Sequence, residues 1–121
     1  MDARSAVLAF QHGERLKSEF LLLSQLLTTC SALKGEQRVG ARAILDQCIK
    51  AIGFDILQAS RDCSENEQIE LDRARTSLDQ ISIYLDRGEM EQAIEQAGCA
   101  ISAATTVASY GWQGLVQHGY L

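Results

Sequence analysis

The chain has 121 residues, 46% hydrophobic and 22% charged, with a net charge of -5 and no proline. These values exclude wholesale disorder, which needs low hydrophobicity and high net charge. They also argue against nucleic-acid binding, because the bases are scattered singly instead of forming a stripe. A single domain with a core that needs no staples is expected at this length.

The start, MDARSAVLAF, has an acid at position 2 and no long apolar run before Gln11, so no secretory signal is read there. A cytoplasmic protein is the expectation. Cys30, Cys48, Cys63 and Cys99 are widely spread with no CxxC pair, as for small buried hydrophobes in a reducing compartment.

Apolar spacing predicts four helices, over about 4–33, 37–61, 64–87 and 89–110, followed by an irregular tail at 111–121. In the first, Ala9, Leu16, Phe20, Leu23, Leu27 and Cys30 form one seam, with steps of four and three from Leu16 onward. Leu22, Leu26 and Leu33 add a second stripe.

The second helix places Ala41, Ile44, Leu45, Cys48, Ile49, Ile52, Ile56 and Ala59 on one face. Gly53 lies inside it. Glycine costs about 1 kcal/mol relative to alanine in a helix, so a kink or a close approach is expected there.

The third opens on SENE, where Ser64 and Glu67 have the spacing of a capping box. Leu71, Ala74, Leu78, Ile81 and Leu85 follow as its seam, and Gly88 is placed to end it in a left-handed cap. The fourth carries acids in its first turns, where the helix dipole favours them. Its stripe is Met90, Ile94, Ala97, Ile101, Ala104 and Ala108. Short loops make consecutive helices antiparallel, so the expected fold is an all-α, four-helix up-down antiparallel bundle.

The segment YLDRGEMEQAIEQAGCAI, residues 84–101, resembles the hairpin within a tetratricopeptide (TPR) repeat. Tyr84, Gly88, Ala93, Ile94, Ala100 and Ile101 carry the match. The resemblance implies a protein-binding role. The segment SALKGEQRVGARAI, 31–44, resembles the H-x-L-K-G…G signature of histidine phosphotransfer domains at Leu33, Lys34 and Gly35. Ser31 stands where the phospho-accepting histidine belongs, so phosphorelay chemistry is not expected there.

No metal pattern is found: neither His12 nor His118 follows a Glu by three positions, and close Cys or His pairs are lacking. No cofactor is expected, and no catalytic residue is assigned. His12 is the one residue around which an enzyme reading is kept.

The clearest functional clue is the last stretch. Residues 96–121 contain no Lys, Arg, Asp or Glu. They are too polar for a membrane span. Two readings stay open: a helix buried among the other three, or a helix whose outer face is covered by another chain. Small Ser, Ala, Gly and Thr residues permit close helix approach, and Tyr and Trp are interface anchors. The expected interface residues are Ser102, Thr105, Thr106, Ser109, Tyr110, Trp112 and Tyr120. The leading expectation is a non-enzymatic interaction module that forms a homodimer or docks a protein partner. The alternatives are a small acidic secretion- or flagellar-type chaperone, or a degenerate phosphotransfer-like domain.

Overall fold

The computed structural model describes residues 1–120 and is built of four helices: α1 (Ala3–Ser31), α2 (Glu36–Asp62), α3 (Glu65–Asp86) and α4 (Met90–Gln117). They pack in a ring, α1 on α2, α2 on α3, α3 on α4 and α4 on α1. Arg15 meets Asp55, and Arg42 meets Asp86 at 2.6 Å, so α1/α2 and α2/α3 run antiparallel. The up-down bundle therefore follows from short loops, as expected.

Local chemistry explains the boundaries. The Asp2 carboxylate accepts the Ser5 N–H at 2.7 Å and starts α1, and that bond holds the carboxyl below its ordinary range. Gly88 takes φ 71°, while Glu89 N–H donates to Tyr84 O at 2.8 Å and Gly88 N–H to Leu85 O at 3.1 Å. This is the paired bonding of a Schellman stop, which a left-handed glycine permits.

Two expectations are corrected here. The fourth helix does not end near residue 110 but runs to Gln117. Gly111 and Gly114 are helical because α1 lies against them. A Cβ at Gly111 would fall 2.6 Å from Ala6 O, and one at Gly114 would fall 2.9 Å from Ala6 Cβ. The terminating glycine is instead Gly119 at φ 76°, with Tyr120 N–H on Leu115 O at 3.1 Å. The last residue of the expected tail, Leu121, lies outside the described residues.

The capping box is the second correction. Ser64 occupies the N-cap of α3, but its hydroxyl caps no N–H. It bonds to Oε2 of Glu67, whose side chain is fully buried with Oε1 unpartnered. Glu67 alone turns inward in this first turn, where Ser64, Glu65 and Asn66 stay exposed.

The seams of α1 and α3 are buried along their full predicted length. α2 is different. Only Leu45, Ile52, Ile56 and Ala59 are buried, and Ile44, expected on the inner face, is 60% exposed. α4 buries two faces, Ala97, Ala104, Ala108 and Gly111 among them.

Candidate functional site

The outer face of α4 is the surface singled out by the charge pattern. Ser102, Thr105, Ser109 and Trp112 fall on it and are exposed, Trp112 by 48%. Thr106 and Tyr110 are half-buried and turn off that face. Tyr120 is exposed beyond the helix end, its ring 6.5 Å from that of His118. The structure thus brings four of the seven expected residues into one strip. Thr106, one turn from Ser102, borders it, and Tyr110 and Tyr120 stand apart from it.

The strip is chemically quiet. Thr105 Oγ1 donates to Ile101 O at 2.7 Å and Thr106 Oγ1 to Ser102 O at 3.0 Å. Hydroxyls turned back onto their own helix leave methyl groups facing outward. Trp112 packs at 5.9 Å, tilted 43°, against Phe10 of α1. Together with Glu14, Thr105, Ala108 and Ser109 they line a shallow depression.

Much of the small-residue content has an internal cause. Ala6, Ala9 and Gly13 of α1 face Ala104, Ala108, Gly111 and Gly114 of α4, all buried. A Cβ at Gly13 would fall 2.6 Å from Ala108 Cα. The two helices therefore meet backbone to backbone, and a matched run of small residues at steps of three and four on both helices is the sequence signal for it.

A second surface lies between α1 and α2, where sequence reasoning singled out nothing. Leu22, Leu26, Cys48 and Ala51 line an apolar groove of ≈ 170 Å³. Leu22 is 55% exposed, and Phe54, on the outer side of α2, is 60% exposed. Glu19 lines the groove's end. Its carboxylate is 3.3 Å from Arg15 Nε, while the Arg15 Nη2 is committed to Asp55. Burial first, and the adjacent Asp55 carboxyl second, push Glu19 up to about 7.

The enzyme reading turns on His12. Its Nε2 lies 2.8 Å from Asp62 Oδ2. Cys63 is next in sequence, but burial, with Glu67 and Asp62 adding negative charge, pushes its thiol up to about 11. A thiol held that high is protonated at neutral pH and is a poor nucleophile. Ser31, at the phosphotransfer-like position, closes α1 with its hydroxyl on Thr28 O at 2.6 Å. Among the described residues, no cluster of His, Cys, Asp and Glu has metal-binding geometry, and no helix is long and apolar enough to cross a membrane.

No family model, curated protein or solved structure matches the chain.

Proposed function

We propose that the chain is a non-enzymatic helical interaction module that self-associates through the outer face of α4. The observation that supports this is the exposed, uncharged strip Ser102–Thr105–Ser109–Trp112. Water-facing helix positions ordinarily carry charge, and close packing against α1 accounts for the inner small residues but not for these outer ones. A Trp packed on Phe10 and bordered by Thr105, Ala108 and Ser109 suits an interface anchor. The same reading places the protein in the cytoplasm, where the exposed Cys99 thiol stays reduced. Light scattering across the micromolar range tests it: a concentration-dependent dimer is expected, and a monomer at high micromolar concentration refutes it.

A second reading, a small acidic chaperone, is favoured by one observation: the unfilled apolar groove between α1 and α2. Such a protein escorts an amphipathic segment of another chain by covering its apolar side.

A further inference from the structure

We propose that the groove between α1 and α2 is a docking site for one amphipathic helix of a partner protein, carrying an apolar ridge and a single Lys or Arg at the end that meets Glu19. The proposal rests on the reading of the chain as an interaction module, and not on the α4 face.

The first line of argument is that α1 and α3 cover α2 only in part. Of its residues only Leu45, Ile52, Ile56 and Ala59 are buried; in the groove Ala51 is exposed and Cys48 half-buried, and outside it Ile44 and Phe54 are each exposed by 60%. A helix apolar beyond the face it buries is a helix awaiting cover. Next to it on α1, Leu22 adds another large exposed side chain.

The second is shape. Leu22 and Leu26 make one wall, and the small Cys48 and Ala51 make a low opposite wall. Leucines one turn apart facing a row of small side chains form a trough in which the ridge of a third helix can lie.

The third is charge, and it selects the occupant. Glu19 is the only acidic or basic side chain among the residues lining the apolar groove, beside the Cys48 thiol. Two charged groups adjoin it: Arg15 from its own helix and Asp55 from α2. Arg15 Nη2 is given to Asp55, and Lys50 lines the outer depression on the Asp55 side. Glu19 shares that one guanidinium with Asp55 through a 3.3 Å contact to Arg15 Nε, so two adjacent carboxyls have a single cation between them. Burial and the neighbouring Asp55 carboxyl push the Glu19 carboxyl up to about 7, which a further positive charge there would offset. A cationic side chain at one end of the incoming ridge supplies that charge where the groove ends, and an acidic one is repelled. Charge therefore also fixes which way round the helix lies.

The test uses the full chain and synthetic helical peptides of about four turns. Each has leucines on one ridge and ends in Lys, in Glu or in a neutral residue. Fluorescence anisotropy should show the Lys-ended peptide binding about tenfold more tightly than the Glu-ended one. Glu19→Gln should bring the Lys-ended peptide to the affinity of the neutral one. Ala51→Arg, at an exposed position, should abolish binding with helical circular dichroism unchanged. Bound peptide should slow alkylation of Cys48. Because ionised Glu19 is the binding form, affinity for the Lys-ended peptide should rise from pH 6 to pH 8. Binding that ignores Ala51→Arg, or a Lys preference that survives Glu19→Gln, overturns the proposal. So does a wild-type oligomer that Ala51→Arg converts to monomer, since a second copy then fills the groove. Should the wild type prove monomeric while the Lys-ended peptide still binds, the α4 reading fails and this one stands.

Discussion

Gly13 of α1 and Ala108 of α4 touch so closely that a methyl group at position 13 has nowhere to go: its Cβ would lie 2.6 Å from Ala108 Cα and 2.7 Å from Ala108 Cβ. Gly111 stands in the same relation to Phe10, 2.8 Å from its Cα. Obstruction by backbone cannot be relieved by a rotamer change. Gly13→Ala and Gly111→Ala should each destabilise by about 1–3 kcal/mol, as overpacked cores do, despite alanine's better helix propensity. Gly98 is the control. It is helical and exposed with nothing within 4 Å of its missing Cβ, so Gly98→Ala should stabilise by up to about 1 kcal/mol. Urea denaturation of the three variants checks the order.

At the start of α3, Ser64 is the sole hydrogen-bond partner of the buried Glu67 carboxyl. Ser64→Ala should therefore cost about 1–3 kcal/mol, the figure for orphaning a buried polar group. Glu67→Met fills similar volume without the polar demand and should be neutral or stabilising. In the Glu67→Met background, Ser64→Ala should cost little, and a double-mutant cycle reads the difference. Additive effects would show that Ser64 acts by capping. Leu78→Ala, mid-seam at 4% exposure, should cost about 2–5 kcal/mol and exceed the serine change.

The seams of α1 and α3 were legible because each faces a single continuous core, so one stripe of period 3.6 carries the whole signal. α2 was less so. Ile44 and Cys48 share a stripe with Leu45 and Ile52 within the tolerance of spacing, yet Ile44 meets water, since α2 packs less extensively on its two neighbours than α4 does and its apolar residues outnumber its buried positions. The end of α4 was misread for a different reason. Gly111 and Gly114 look like breakers in isolation, and only the facing Ala6 and Phe10 reveal them as contact points. The outer strip of α4 was readable from missing charge. The Glu19–Arg15–Asp55 cluster was not, because Asp55 lies 40 residues from Arg15 on another helix.

Glu19 makes stability depend on pH in a known direction. Its folded value, about 7, lies above the ordinary 4.5. A raised carboxyl favours the folded state while protonated. That contribution is complete below about 4.5 and disappears as pH rises through 7. The stability of the wild type relative to Glu19→Gln should therefore fall between pH 5 and pH 8. Denaturant midpoints for both proteins across that range measure it, and a constant difference refutes the assignment.

Thiol accessibility offers a check on the packing. Cys99 is exposed, Cys30 is buried at 8%, and the Cys63 thiol is pushed up to about 11. Iodoacetamide at pH 7.5 should modify Cys99 first and Cys63 slowly, because the thiolate is the reacting form. Cys30 should react only on unfolding. Peptide mapping of a labelling time course gives the order, and early reaction at Cys30 would mean that the α1–α2 end of the bundle opens.

The α4 strip makes the most direct demand. Ser102 and Ser109 are exposed and sit two turns apart on one side of the helix, while the core contacts are made by Ala97, Ala104 and Ala108 on the other. Changing both serines to Glu places like charges on the strip without entering the bundle. If two copies meet there, each partner faces two carboxylates across a dry, uncharged surface, and repulsion with desolvation should separate them. Light scattering should then report a monomer, with helical circular dichroism and the thermal midpoint extrapolated to infinite dilution close to wild type. Trp112→Ala should weaken association as well, by about 2 kcal/mol or more if it is the anchor, because half of its ring surface is free in the monomer. A Ser102→Glu/Ser109→Glu protein that stays dimeric moves the contact to another face. One that unfolds contradicts the exposed placement of the two serines.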